Sequence, residues 1–176
     1  NASFTANGDI TLNNPGNSFG GSVSYNGTNL NISSSASVVL AASTASGNLI
    51  VTSGGSISQS GVLSVGGNTS LSAVTSITLT NAANTFTGDV TIKGGALVVT
   101  DERQLGAGTG QISIFGWSNT GNPGYSGGSL VVKGPTAAGA TGITVARDVT
   151  FSGRGPTSNN NSGGLISIGY NTFNGT

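Results

Sequence analysis

The stretch ITLNNPGNSFGGSVSYNGTNLNI (residues 10–32) aligns without a gap with ITLTNAANTFTGDVTIKGGALVV (residues 77–99), at an offset of 67 (77 − 10). The alignment pairs Ile10 with Ile77, Leu12 with Leu79, Asn14 with Asn81, Asn17 with Asn84, Phe19 with Phe86, Gly21 with Gly88, Val23 with Val90, Gly27 with Gly94 and Leu30 with Leu97. A shortened third copy, LISIGYNTFNGT (residues 165–176), carries Asn171, Thr172, Phe173 and Gly175 where the second has Asn84, Thr85, Phe86 and Gly88. Each copy holds two or three strands of about five residues, too little to bury an apolar face alone. Copies must therefore stack, with the paired Phe, Asn and Gly positions expected above one another along a common axis.

Composition agrees with a stack of strands. Glycine numbers 31 among 176 residues, His, Cys and Met are absent, and Ser, Thr, Asn, Ala, Val, Ile and Leu dominate. These are residues of strands and turns. No window keeps apolar residues at three-and-four spacing without a glycine or a β-branched run breaking it, so almost no helix is expected. Glycine- and serine-rich chains are often disordered. Here the apolar residues come in short alternating packets, such as NLIVT at Asn48, SITLT at Ser76, ALVVT at Ala96, QISIF at Gln111 and SLVVK at Ser129, and that pattern argues for order.

Short strands at roughly 8–12 residue spacing also suit a sandwich or an up-and-down barrel. Three features favour a solenoid. Two-residue hairpin signals are rare, with Asn26-Gly27 as one candidate. Asn and Gly recur at offsets that suit stacked turns with side-chain amide ladders. No long central hydrophobic strand is present. The chain is read as an all-β parallel β-helix, or β-solenoid, with three short strands per coil, about 20 residues per coil and about eight or nine coils. At about 4.8 Å per coil this makes a rod roughly 40 Å long. Alternation turns Ile10, Leu12, Ile77, Leu79, Val90 and Ile92 inward and Ser and Thr outward. Phe19, Phe86 and Phe173 are expected to stack near one interior corner as core filling.

Chemistry is sparse. Without His or Cys, neither ordinary zinc sites nor Ser-His-Asp and Cys-His arrangements can be assembled, and no disulfide framework exists. Carbohydrate-cleaving β-helices need clustered carboxylates, sometimes with calcium and a basic residue. The acids are Asp9, Asp89, Asp101, Glu102 and Asp148; the adjacent Asp101 and Glu102 read as a solvated turn in which Arg103 forms a local ion pair. No catalytic, cofactor-binding or metal-binding residue is assigned. The basic residues Lys93, Arg103, Lys133, Arg147 and Arg154 are scattered and formal net charge is zero, which argues against nucleic acid. The Gly-Gly pairs at Gly54, Gly66, Gly94, Gly127 and Gly163 lack a following Gly-Lys-Thr/Ser and read as tight turns. Thr78/Thr80 and Thr85/Thr87 have the spacing of ice-binding ranks, but the pattern does not recur coil after coil. The Asn-x-Ser/Thr acceptors at Asn26, Asn31 and Asn68 are given no role.

No run of about 18 apolar residues spans a bilayer, and the first residues lack a signal pattern, so a signal was removed or the chain is an interior fragment. It is treated as one continuous β-helix segment over residues 1–176 of a longer protein, with projecting loops near 115–128 and 153–164. The first loop carries Trp117 and Tyr125, which either pack down on the solenoid or contact a ligand or partner. Coils that begin and end within repeat units are expected to expose sheet edges.

The pattern ITLTNAANTFTGDVTIKGGALVVTDERQLGAG (residues 77–108) resembles the passenger-associated transport repeat, or autotransporter-associated β-strand repeat, of bacterial autotransporters. GGSLVVKG, ITVARDVTFSGRGP and LISIGYNTFNG are similar to the way successive copies are joined there, and residues 49–79 look like the Gly-Gly-rich coils of filamentous haemagglutinin-type exoproteins. The resemblance implies a right-handed parallel β-helix. It further implies a passenger domain secreted or displayed on the outer membrane of a Gram-negative bacterium through a β-barrel translocator, acting as a stiff stalk in export, adhesion or aggregation. Its implied partners are a host-cell or bacterial surface receptor or glycan, or a second copy; no enzyme activity and no cofactor are implied. The alternative from another class is a carbohydrate-binding or carbohydrate-cleaving β-helix that uses a groove beside Trp117.

Overall fold

The computed structural model describes residues 1–106, 108–115, 128–138, 140–152, 165–169 and 171–173. Inward apolar residues at every second position force each short strand to lay one face on the next coil, so the strands stack in parallel columns. Every strand pairing among the described residues is parallel. The protein is a parallel β-solenoid of about six turns with three strands in a typical coil.

The first face is a seven-stranded sheet of Ile10–Leu12, Leu30–Ser34, Leu49–Ser53, Thr69–Ala73, Val90–Lys93, Ile112–Phe115 and Val149–Ser152. The second carries Val38–Leu40, Ile57–Gln59, Ser76–Thr78, Ala96–Val99, Ser129–Lys133 and Leu165–Ile168. The third carries Ser43–Ala45, Leu63–Val65 and Thr85–Phe86. The strand Ser22–Gly27 joins the second and third faces: Val23 pairs with Leu40, and Gly27 with Ala45. Ala2–Thr5 pairs with its outer side.

The core is a set of columns along the axis. On the first face Leu12, Ile32, Val51, Leu71, Ile92 and Ile114 lie one above another. On the second, Val38, Ile57, Ile77, Leu97 and Leu130 do the same and are fully buried. Fully burying each such side chain is worth about 1.5–3 kcal/mol before chain entropy is charged against it.

A polar column runs outside the corner that precedes the first face. Asp9 Oδ1 accepts the Asn29 N–H (3.2 Å), Asn29 Oδ1 that of Asn48 (2.8 Å), Asn48 Oδ1 that of Asn68 (2.8 Å), Asn68 Oδ1 that of Asp89 (3.0 Å), and Asp89 Oδ1 that of Gln111 (2.8 Å). This is the expected amide ladder, and each bond joins one coil to the next. It also explains the glycine before several rungs. A Cβ on Gly47, Gly67 or Gly88 would collide with the ladder oxygen of Asn29, Asn48 or Asn68 one coil below.

Three expectations fail. The coils number about six, because the adjacent first-face rungs Ile112 and Val149 are 37 residues apart (149 − 112), against 19 to 22 at every earlier step. At about 4.8 Å per coil the stack is roughly 29 Å long. Next, the three phenylalanines do not form one stack. Phe86 is fully buried on the third face, Phe19 is partly buried just before Ser22–Gly27, and Phe173 is 37% exposed on Asn171–Phe173. Third, residues 67 apart do not lie in one column: Ile10 is on the first face and Ile77 on the second. The repeat is instead conserved as local geometry. Asn17 N–H bonds Asn14 O (3.1 Å) as Asn84 N–H bonds Asn81 O (3.4 Å), while Asn14 Oδ1 accepts Gly16 N–H (2.8 Å) as Asn81 Oδ1 accepts Ala83 N–H (2.9 Å). The same Asn-led β-turn thus serves two different corners.

Smaller readings resolve as follows. Asn26-Gly27 ends a parallel strand and makes no hairpin. Gly94 and Gly95 both have positive φ, 67° and 66°, as a tight turn between faces requires. The sequence-inferred loops near 115–128 and 153–164 fall largely on residues 116–127 and 153–164, outside the described residues; Gly128 N–H bonds Phe115 O (3.1 Å) where the first begins and ends.

Candidate functional site: a charged corner on the third face

Beyond Thr85–Phe86 the third face changes character. Among the described residues the next coil places no strand there but a one-turn 3-10 helix, Glu102–Leu105, capped by Asp101, whose Oδ1 accepts the Arg103 N–H (3.0 Å). The chain then passes over Phe86 through Gly106, with φ of 81°, and Gly108, where a Cβ would strike the Phe86 carbonyl. The third face resumes as a separate two-stranded sheet of Ile143–Val145 and Asn171–Phe173.

Gln104 turns inward into a buried amide cluster. Its Oε1 accepts the Thr100 N–H (2.9 Å) and its Nε2 donates to Thr100 Oγ1 (3.0 Å). Asn84 Nδ2 donates to Gln104 O (3.0 Å) and Gln59 Oε1 (3.2 Å), and Gln59 Nε2 donates to Asn84 Oδ1. Asn17 and Asn171, at the same place in their copies, likewise donate from Nδ2 to backbone carbonyls, Leu12 O (2.9 Å) and Val132 O (3.3 Å). The recurring Asn of Asn-Thr/Ser-Phe is a corner tie.

Charge gathers here although it is scattered in sequence. The expected Asp101–Arg103 ion pair is present and largely solvent-facing: Arg103 Nε lies 3.0 Å from Asp101 Oδ1. Hydrogen bonding from Arg103 holds the Asp101 carboxyl below its ordinary range, and the same contact raises the guanidinium. Glu102 is not a simply solvated acid, since its Oε1 accepts the Ala146 N–H at 2.5 Å. Arg147 is buried (7% exposed) and donates from Nε to Gly110 O (2.7 Å), from Nη1 to Leu105 O (2.8 Å) and from Nη2 to Gly88 O (2.9 Å). Burial pushes its pKa down, opposed by the negative charges of Asp89 and Glu102.

Two open cavities flank the 3-10 turn. One of about 410 Å³ is lined by Glu102, Arg103, Gly106, Gly108, Arg147 and Asp148; the other, about 450 Å³, is bounded by Asp101, Glu102, Pro135 and Thr144 among others. With Asp89, six of the chain's ten charged residues meet at this corner. Its polar groups are engaged with each other or with backbone: Asp101 with Arg103, Glu102 with the Ala146 amide, Arg147 with three carbonyls. Such an arrangement staples coils and offers a polar, hydrogen-bonding cleft.

Arg147 was not singled out in the sequence. Its signal was positional: Arg147-Asp148 stands where the corner elsewhere has Gly47-Asn48, Gly67-Asn68 and Gly88-Asp89. Trp117 and Tyr125, the ligand or partner candidates, lie outside the described residues. Among the described residues no three His, Cys, Asp or Glu side chains converge as metal ligands, and no helix is long and apolar enough to cross a membrane.

A family model described as repeats of unknown function (DUF5649) matches residues 1–26 and 27–93, more than half of the chain. The chain belongs to the DUF5649 repeat family. The two matched segments of this DUF5649 protein end 67 residues apart (93 − 26), the same offset that aligns residues 10–32 with 77–99. No curated protein and no solved structure matches the chain.

Proposed function

We propose that this DUF5649 solenoid is a structural stalk: part of the passenger of a protein secreted or displayed on the outer membrane of a Gram-negative bacterium, where it supports export and holds adhesive regions away from the cell. On this reading no residue is catalytic and no cofactor is used. A β-barrel translocator carries the chain out, and adhesion or aggregation follows through a surface receptor, a glycan or a second copy. The observation that carries the proposal is the ladder from Asp9 to Gln111, in which exposed polar side chains are used to join coil to coil. Such rungs stiffen a rod, and each new coil that docks adds its own bond, which favours outward stacking during export. The absence of Cys fits a chain that crosses a membrane before folding.

The test is made in the parent protein on its own cells. Deleting residues 30–89, three whole coils, should leave the protein on the surface and protease-accessible while weakening adhesion. Replacing those coils by unrelated solenoid coils of equal length should restore adhesion. Adhesion that returns only with the original sequence would make this region a recognition surface and end the stalk reading.

A further inference from the structure

The 67-residue repeat is longer than three coils. The first-face rungs Ile10, Leu30, Leu49 and Thr69 are three coils apart at residue 69, and Ile77 is reached only on the second face of that coil. The shift is consistent through the copy. Ile10–Leu12 on the first face corresponds to Ile77 and Leu79 on and beyond Ser76–Thr78 of the second, and Leu30–Ser34 on the first to Ala96–Val99, again on the second. Phe19, ahead of Ser22–Gly27, corresponds to Phe86 on the third face. We infer that each 67-residue DUF5649 step turns the surface of the solenoid by one face, so that equivalent surface groups point in different directions around the rod; the shortened third copy, 87 residues after the second (173 − 86), spans the long coil and brings Phe173 back to the third face, like Phe86.

All three faces of a coil ask the same of a strand, an apolar residue inward at every second position and a turn at each end. A unit that meets this demand on one face meets it on the next, provided its corner turn is self-sufficient. The Asn-led turns at residues 14–17 and 81–84 are so, closing through their own backbone and side-chain bonds at two different corners. Thr11 and its equivalent Thr78 therefore lie on different faces, and three successive 67-residue steps complete a revolution. A partner that recognises a repeated surface group would engage such a rod from three sides. The inference stands on geometry and holds whether or not the stalk reading does.

The chain has no Cys, so introduced pairs report cleanly. Cα atoms of adjacent parallel strands are about 4.8 Å apart, within disulfide range. Thr11 faces Asn31 in the intact protein. Removing residues 27–93 should leave a cooperatively melting solenoid in which Thr11→Cys oxidises onto Val98→Cys, now in the place of Asn31. Removing residues 30–89 should instead bring Thr11→Cys to Thr91→Cys. If the first deletion unfolds while the second folds, or if Thr11→Cys in the first oxidises onto Ser113→Cys of the next first-face strand, the inference is overturned. A readout independent of deletion uses the intact chain, where Ser58→Cys/Thr78→Cys and Ser70→Cys/Thr91→Cys should both close. Failure of the Ser58/Thr78 pair removes Thr78 from the second face and overturns the inference even if both deletions unfold.

Discussion

Thr69 sits fully inside the first-face column between Leu49 and Val90, and among the described residues its Oγ1 has no hydrogen-bond partner. A buried hydroxyl left unpaired costs about 1–3 kcal/mol, so Thr69→Val should stabilise the protein by about 1 kcal/mol. A raised urea midpoint at unchanged m would show it. The Tyr25 hydroxyl is buried and, among the described residues, likewise without a hydrogen-bond partner, and desolvation pushes the phenol far above its ordinary value of about 10. The unfolded chain releases this proton near pH 10 while the folded chain keeps it. Stability is therefore unaffected below about pH 10 and declines above it, by up to about 1.4 kcal/mol per pH unit. Thermal melts between pH 9 and 11.5 should lose this alkaline slope in Tyr25→Phe relative to the parent; equal slopes would place the phenol in contact with solvent.

Among the elements, the corner ladder can be tested as a coupled pair. Gly47→Ala drives a methyl against Asn29 Oδ1 and should cost about 1–3 kcal/mol. In an Asn29→Ala background the obstructing side chain is gone and the cost should fall, giving a coupling energy of about 1 kcal/mol in a double-mutant cycle. Additive effects would mean that Gly47 answers to the backbone and not to the rung. At the charged corner, Arg147 joins the carbonyls of Gly88, Leu105 and Gly110, which belong to two coils below it. Arg147→Ala should destabilise by about 2–4 kcal/mol, and Arg147→Lys should recover little, because one ammonium cannot span three carbonyls as a guanidinium fork does. Equal melting temperatures for the Lys variant and the parent would show that charge, and not the fork, is what the corner needs.

Over the whole molecule, stability is close to a sum of nearest-neighbour coil contacts. Among the described residues the first-face strand Val149–Ser152 has only one strand neighbour, and Phe151, which continues the inward column of Ile114, is 40% exposed. Leu49–Ser53 and Thr69–Ala73 lie between neighbours on both sides. Native-state hydrogen exchange should therefore be slowest at residues 49–53 and 69–73 and faster at 149–152. Uniform protection from end to end would indicate a single cooperative block. The same nearest-neighbour logic is why three coils can be removed as a unit for the adhesion test without dismantling the remainder.

Much of this was legible in residues read one strand at a time. Alternation in packets such as SITLT placed Ile77 and Leu79 inward, and the recurring Asn and Gly announced stacked turns and a ladder, because side-chain period and turn chemistry are local properties of the chain. The face on which a strand falls is different in kind. It depends on the residue count accumulated around every preceding coil, so the 67-residue offset suggested columns that the folded chain does not form, and the long step from Ile112 to Val149 hid the true number of turns. The charged corner was equally out of reach. Asp89, Glu102 and Arg147 are far apart along the chain and meet only because coils of unequal length bring them to one corner, where burial makes Arg147 a clamp.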